Sequence, residues 1–208
     1  MALDFDLEIY QKGYKHIVGI DEAGRGCLLG PVVAAAVILP SVFSHPLIND
    51  SKQLSEKQRE EAYKVIKEHA IAYGVGIIGP EEIDKINILE AARKAMTEAL
   101  FQIDEDKYDI IITDYMKLPK AHKEVIDIPH GDARSLSVAA ASIIAKVTRD
   151  HICYELEKKY PNFKSSIHKG YGTKMHLDEL EKYGPIKGLH RFSYKPVKKF
   201  LIEKVNLF

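Results

Sequence analysis

The chain has 208 residues, a length that suits one large domain or one domain with a small appendage. Its residues are 46% hydrophobic and 29% charged, with 13 glycines and 9 prolines, which excludes a disordered chain and a collagen-like filament. Cys27 and Cys153 lie far apart without a His/Cys cluster, so neither a disulfide framework nor a zinc finger is supported. We therefore expect a compact protein of a reducing compartment, and the acidic N-terminus, which does not resemble a secretory signal, favours a cytoplasmic location.

The charge is zero overall but is unevenly distributed along the chain. Residues 1–141 include 16 basic and 23 acidic residues, whereas residues 142–208 include 14 basic and 7 acidic residues. This asymmetry predicts an acidic site and a basic surface on one molecule, and a solvated basic helical face is an equal alternative. The uncharged stretch from Gly26 to Asn49 is divided by Pro31, Pro40 and Pro46, so it is too short to span a bilayer.

In chain order, apolar runs alternate with helical patterns. Strands are predicted at Lys15–Ile20, Pro31–Leu39, Ile71–Ile78, Tyr108–Ile112 and Val125–Ile128. Helices are predicted from the capping box Ser55–Gln58 to about His69, from Pro80, over Ile88–Phe101 and over Ser135–Tyr160. The pattern predicts an α/β fold with a five-stranded mixed sheet flanked by helices. We expect residues 1–208 to form a single domain, with a basic helical extension from about residue 161 to 208 packed on it.

Two of the predicted strands end in an aspartate, namely Asp21 and Asp114. Parallel neighbouring strands would bring these carboxylates together at one edge of the sheet, where α/β folds place their ligands. Asp132 follows the last strand and precedes the long helix, and Glu22 is a fourth oxygen donor beside Asp21. Carboxylates this close repel each other unless a cation joins them, and oxygen ligands suit Mg²⁺ or Mn²⁺. A metal site built from four acids is therefore predicted.

Other interpretations of these residues stay open at this point. An aspartate at a strand end is more often a turn or cap residue than a ligand. Asp21 and Glu22 point to opposite faces unless the strand ends or bends there, which the following glycines would permit. The segment Gly24–Gly30 also resembles a dinucleotide-binding fingerprint, although a second strand follows it where that motif requires a helix. Two other kinds of protein are therefore alternatives to one with a four-acid metal site: an oxidoreductase and a noncatalytic nucleic-acid-binding module. Titration with a nicotinamide cofactor would identify the oxidoreductase.

Several long motifs together resemble ribonuclease HII, the endonuclease family that cuts RNA joined to DNA. The motifs are Gly19–Gly26, Gly30–Val37, Asp50–Ser55, Ile83–Leu89, Asp114, Leu118–Pro119, Gly131–Lys146 and His168–Thr173. They cover roughly Ile17 to Phe192. Type II is favoured over the related type III because the Gly-Arg-Gly segment is intact and only about fifteen residues precede the first strand.

The resemblance implies an RNase H-like fold with Asp21, Glu22, Asp114 and Asp132 as both catalytic residues and ligands of two divalent ions, Mg²⁺ or Mn²⁺. It implies hydrolysis of the RNA strand of RNA/DNA hybrids and cleavage on the 5′ side of ribonucleotides embedded in duplex DNA, as in ribonucleotide excision repair. The products would carry a 3′-hydroxyl and a 5′-phosphate. We expect the enzyme to act as a monomer on these nucleic acids and not at a membrane.

The resemblance also implies a set of substrate-binding residues. The backbone of Gly24, Arg25 and Gly26 would sense the ribose 2′-hydroxyl, and Tyr171 would stack on the sugar beyond the junction. The remaining predicted contacts are Lys52, Asn87, Lys146 and Lys169, with Arg149 and Lys174 also expected near phosphates. Cys27 stands where the family commonly has proline, and Tyr115 stands where glycine often follows the aspartate, so both bear on substrate fit.

Overall fold

The computed structural model describes residues 4–48 and 54–205, in which five strands form one mixed sheet. The strands are β1 (Ile17–Ala23), β2 (Val32–Ile38), β3 (Ala72–Ile78), β4 (Ile110–Asp114) and β5 (Val125–Ile128), in the sheet order β3-β2-β1-β4-β5. The helices are α1 (Phe5–Gln11), α2 (Glu56–His69), α3 (Pro80–Ile86), α4 (Ile88–Leu100), α5 (Gly131–Arg134), α6 (Leu136–Lys159), α7 (Ser165–His168), α8 (Lys174–Tyr183) and α9 (Lys195–Val205). The predicted fold class is confirmed.

The strand pairing determines which residues meet at the edge of the sheet. β1 pairs in parallel with β4, with Ile20 opposite Thr113, and β4 pairs in parallel with β5. β1 pairs antiparallel with β2. The expectation that β1 ends at Ile20 is wrong, because its antiparallel pairing with β2 extends through Asp21 and Glu22 to Ala23. The carboxyl ends of β1 and β4 therefore lie side by side, as the strand-end argument requires.

The chain divides into two compact units. The first comprises residues 1–23, 33–77 and 93–147, and the second comprises residues 24–32, 78–92 and 148–208. No helix in the part of the chain that the structure describes is long and apolar enough to cross a membrane. The organisation as one catalytic domain with a C-terminal extension stays a prediction.

Two clusters of the first unit's core lie on one face of the sheet, because Val37 of β2 pairs with Gly19 of β1, which in turn pairs with Ile112 of β4. One cluster of buried residues joins β2 to α2 and to the alanine-rich start of α6, and a second joins β1, β4 and β5 to α1. Every residue of β2 is buried, which explains why its sequence is a continuous apolar run and not an alternating one. The small side chains of Ala139, Ala140 and Ala141 are fully buried in the first of these clusters.

Gly19 shows how closely β1 approaches α6. A β-carbon at this position would lie 2.1 Å from the Ser137 carbonyl carbon and 2.4 Å from the Val138 amide nitrogen. These atoms belong to the helix backbone, so a larger residue can be accommodated only if strand and helix move apart.

We expect Gly19→Ala to destabilise the protein by about 1–3 kcal/mol or more, because an overpacked contact between two backbones cannot relax by rotating a side chain. Thermal denaturation would measure the effect. Gly26→Ala is the matched control, since a β-carbon at Gly26 would meet nothing within 4 Å. Equal melting temperatures for the two variants would contradict this account of the β1–α6 contact.

The second unit has its own hydrophobic core. Its fully buried members are drawn from the segment after β1 and from the C-terminal helices and loops, and they include Leu29, Phe163, Leu180, Leu189 and Val197. Backbone hydrogen bonds from Gly30 to Leu189 and from Arg191 to Leu28 attach the segment after β1 to the C-terminal part of this unit.

Candidate active site

Asp21 is buried at the edge where β1 and β4 end, with 6% of its surface exposed. Its Oδ1 accepts a hydrogen bond from the Glu22 amide at 2.7 Å, and its side chain is hydrogen-bonded to that of Ser142 on α6. Neighbouring β-residues alternate between faces, and this backbone contact shows the Asp21 carboxylate bent back toward the following residue. Asp21 is thus held in place by its own strand and by the first half of α6.

The electrostatic environment of Asp21 is unfavourable to a bare carboxylate. Burial raises the pKa of the Asp21 carboxyl well above its ordinary value, and the charges of Glu22 and Asp114 raise it further. The hydrogen bonds from Ser142 and from the Glu22 amide lower the same pKa, but they do not offset the other effects. Three acids predicted from the sequence therefore interact in the folded protein, and a cation beside them would relieve their repulsion.

Asp114 and Asp132 are brought near one another by the turn between β5 and α6. The Gly131 amide donates to Oδ1 of Asp114 at 2.9 Å, and a β-carbon on Gly131 would lie 3.3 Å from the Asp114 Cα. Asp132 follows directly and is 5% exposed. It belongs to the helical turn α5, which the left-handed residue His130 precedes.

The donor set at this edge is chemically suited to a divalent ion, because it consists of carboxylate oxygens that repel one another. Within residues 4–48 and 54–205, however, no group of three or more His, Cys, Asp or Glu side chains has an arrangement that could hold a metal ion as it stands. Binding would require movement of the acidic side chains toward a common centre.

In the second unit, the predicted ribose-sensing turn has the conformation that its glycines allow. Gly24 is buried with a left-handed φ of +95°, and the Cys27 amide closes the turn on the Gly24 carbonyl at 3.3 Å. Arg25 and Gly26 are exposed at its tip. β2, and not a helix, follows the turn, which removes the structural basis of the dinucleotide-binding interpretation.

Tyr171 lies in a second turn of the same unit and keeps 45% of its surface exposed. The Tyr171 carbonyl accepts a hydrogen bond from Nδ1 of His176 at 2.9 Å, so the backbone of the turn is fixed from below by α8. Burial of part of the ring raises the pKa of Tyr171, and the side chain of Cys27 is a hydrogen-bond partner of the phenol. Tyr171 and the predicted ribose-sensing turn are therefore in direct contact.

The other predicted substrate contacts have different outcomes. Lys52 lies outside the described residues. Asn87 is exposed, and its Oδ1 caps α4 by accepting the amides of Leu89 and Glu90. Lys146 is half-buried on α6, and Lys169 is half-buried with its Nζ 3.8 Å from the centroid of the Tyr154 ring. Their contacts with substrate stay predictions.

The expectation that Arg149 lies near phosphates is wrong. Its side chain is fully buried, and its three nitrogens donate to the carbonyls of Leu29, Pro31 and Lys169 at 2.7–3.2 Å. Each of the three guanidinium nitrogens donates to protein backbone and the side chain has no exposed surface, so the group cannot bind a solvent-accessible phosphate.

A group of three buried histidines beneath the Tyr171 turn was not recognised from the sequence. The rings of His168 and His176 stack with centroids 4.1 Å apart, and His190 lies 5.4 Å from His176 and 4.6 Å from Phe163. The Nδ1 of His168 accepts from the Gly170 amide at 2.9 Å, so this ring also fixes the turn. The histidines are too far apart in sequence to form a motif, and only their proximity in the folded chain shows their role.

Because these three histidines are buried, we expect the folded protein to lose stability in acid. Burial lowers the pKa of His168 and of His176 to about 4, and that of His190 to about 3, from the ordinary 6.5. Unfolded histidines bind protons below about pH 6.5 while the folded ones stay neutral, so we expect the free energy of unfolding to fall between about pH 6.5 and pH 4.

Urea denaturation across this pH range would measure the slope. His190→Phe should reduce the slope by about one third, because one of three titrating rings is removed. Replacing the exposed His122 with glutamine should leave it unchanged. A slope that is the same in wild type and His190→Phe would show that His190 is not neutral in the folded protein.

Comparison with known proteins gives a consistent result. The family model described as Ribonuclease HII matches residues 18–197. The chain is 50% identical to a ribonuclease HII of Acholeplasma laidlawii over 199 residues, which is 96% of each chain. It is 50% identical to a ribonuclease HII of Acetivibrio thermocellus over 95% of this chain and 76% of the relative. It is similar to the crystal structure of ribonuclease H2 from Pyrococcus horikoshii OT3, with a TM-score of 0.77, 27% identity, and coverage of 93% of this chain and 100% of that one.

Proposed function

The chain belongs to the ribonuclease HII family, and we propose from this that it cuts on the 5′ side of ribonucleotides embedded in duplex DNA. It is an endoribonuclease that hydrolyses phosphodiester bonds, and the RNA strand of an RNA/DNA hybrid is its second proposed substrate. The products carry a 3′-hydroxyl and a 5′-phosphate. The observation that carries the proposal is the buried carboxylate of Asp21, which interacts with Glu22 and Asp114 at the edge of the sheet.

Asp21, Glu22, Asp114 and Asp132 are the residues that would hold two divalent ions, Mg²⁺ or Mn²⁺. Bound divalent ions supply Lewis acidity and lower the pKa of water, which provides a nucleophile at neutral pH. The carboxylates suit this task because they are oxygen donors whose mutual repulsion favours a cation. Ser142 and the Glu22 amide orient the Asp21 carboxylate, and the Gly131 amide orients that of Asp114.

Substrate recognition is assigned to the second unit. The space above Gly26 is open, so a sugar can approach the backbone of this turn closely. Tyr171 presents a half-exposed ring on which a sugar can stack, and the half-buried Lys169 and the exposed Lys174 can contact the phosphate backbone.

The test uses three duplexes of equal length: DNA with one ribonucleotide, an RNA/DNA hybrid, and DNA alone. With Mg²⁺ or Mn²⁺ we expect cleavage of the first two, a cut on the 5′ side of the single ribonucleotide, and none of the third. EDTA should stop the reaction. Equal cleavage of the all-DNA duplex, or cleavage in EDTA, would contradict the proposal.

We also propose that the enzyme works as a monomer in the cytoplasm. The two cysteines, Cys27 and Cys153, are buried free thiols, which is consistent with a reducing compartment. Light scattering of the purified protein would test the monomeric state, and a mass of twice 23.5 kDa would contradict it.

A further inference from the structure

The fully buried side chain of Arg149 lies between the two turns to which substrate recognition is assigned. One turn belongs to the segment Gly24–Pro31, and the other to the segment His168–Gly172. Arg149 donates through Nε to the Pro31 carbonyl at 3.2 Å and through Nη2 to the Leu29 carbonyl at 3.1 Å, both in the first segment. It donates through Nη1 to the Lys169 carbonyl at 2.7 Å, in the second segment.

The glycines of both turns leave the space that the guanidinium occupies. A β-carbon on Gly24 would lie 2.1 Å from Nε of Arg149, and one on Gly170 would lie 2.9 Å from Nη2. Both glycines also have left-handed backbones, with φ of +95° and +80°. Glycine is therefore needed at both positions for two reasons: the backbone has a left-handed conformation, and a side chain would collide with Arg149.

Two further contacts cross between the segments next to Arg149. The Leu28 amide donates to the Gly170 carbonyl at 2.7 Å, and the phenol of Tyr171 is hydrogen-bonded to the side chain of Cys27. The two turns are thus joined by backbone and side-chain hydrogen bonds, including those of the guanidinium.

A packing role alone does not account for this arrangement. Burying a cation costs free energy, and an apolar residue of similar volume would fill the same space more favourably. The planar guanidinium differs from such a residue because its donors point in fixed directions, so it specifies where each carbonyl must lie. Three hydrogen bonds from one rigid plane define the position of one turn relative to the other.

We propose that Arg149 is a positioning residue for substrate specificity, which sets the distance between the ribose-sensing turn at Gly24–Gly26 and the junction-sensing ring of Tyr171. This inference rests on the proposed function, because it assumes that the two turns read consecutive sugars. Arg149 contacts neither sugar. It determines whether a ribose and the next deoxyribose can be recognised together.

The variant Arg149→Lys keeps the positive charge but loses the planar fork, so it cannot donate to all three carbonyls in their present positions. Arg191→Lys is the matched control. Arg191 is also fully buried, and it donates to the carbonyls of Gly30 and Arg25, which belong to the first segment only.

The measured quantity is the ratio of the cleavage rate on the single-ribonucleotide duplex to that on the continuous RNA/DNA hybrid. Tyr171→Ala should lower this ratio in wild type and in Arg191→Lys by the same factor. In Arg149→Lys the ratio should already be low, and adding Tyr171→Ala should change it less than about twofold. An equal fold-change from Tyr171→Ala in the wild-type and Arg149→Lys backgrounds would overturn the proposal.

A purely structural role for Arg149 predicts that equal fold-change, because a loss of active protein lowers both rates together. If wild type does not distinguish the single-ribonucleotide duplex from all-DNA duplex, the proposed function fails instead, so the two failures are distinguishable.

Amide hydrogen exchange provides a measurement independent of cleavage. Arg149→Lys should accelerate exchange of the Leu28 amide, which bridges to Gly170, but not of the Gly30 amide, which bonds Leu189. If Arg149→Lys does not fold, Gly170→Ala can replace it in this experiment. Its β-carbon would lie 2.6 Å from the Leu29 carbonyl, so it should also accelerate exchange of the Leu28 amide. Unchanged exchange at Leu28 in a folded variant would overturn the proposal.

Discussion

Asp21→Asn is expected to reduce cleavage by on the order of a thousand-fold or more, since an amide cannot supply the anionic oxygen that a divalent ion requires. The fold should survive. In the metal-free protein, burial and the charges of Glu22 and Asp114 raise the pKa of Asp21, which means that the fold destabilises its ionised form. Removing that charge should leave the melting temperature without metal unchanged or higher.

The same variant tests metal binding without measuring cleavage. Mg²⁺ should raise the melting temperature of wild type, because an ion that binds only the folded state stabilises it, and this rise should shrink in Asp21→Asn. Asp127→Asn, which changes an exposed aspartate on β5 of the same sheet, should behave as wild type in both assays. Normal turnover in Asp21→Asn, or a strong loss of metal-free stability, would mean that Asp21 is a structural aspartate.

Gly26→Ala should separate recognition from stability more cleanly than any other substitution in the turn. A β-carbon at Gly26 meets no protein atom within 4 Å, so the melting temperature should not change. The added methyl group would occupy the space through which a ribose approaches the backbone, and the 2′-hydroxyl contact would be lost. We expect the rate on the single-ribonucleotide duplex to fall about ten- to a hundred-fold, the equivalent of one buried hydrogen bond left unmade.

Gly24→Ala is the contrasting variant. Its β-carbon would lie 2.1 Å from Arg149 and its φ is +95°, so both the melting temperature and the cleavage rate should fall. If Gly26→Ala cleaved the single-ribonucleotide duplex as wild type does, the sugar would not approach the turn at this residue.

The elements that the sequence predicted correctly are those stabilised by residues close to one another in the chain. The capping box of Ser55 and Gln58 is present in the structure, with both reciprocal hydrogen bonds, because it involves residues three positions apart. β2 is buried along its whole length, as its uncharged apolar run predicted. α1 was not predicted, because its seven residues are too few to show a helical period, and it is held by a distant contact. In that contact Asp6 accepts two hydrogen bonds from Ser137.

For the site, the sequence by itself determined which acids end the strands and which glycines can form tight turns. Asp21 and Asp114 follow apolar runs, and their proximity needed only the assumption that the two strands are parallel neighbours. Only the tertiary structure shows that Arg149 and His168 are buried and which groups they bond. A buried arginine or histidine has the same local sequence signal as an exposed one, because its partners are contributed by segments remote in sequence. Those partners, and not the residue types, turn a predicted phosphate ligand into a group that joins two turns.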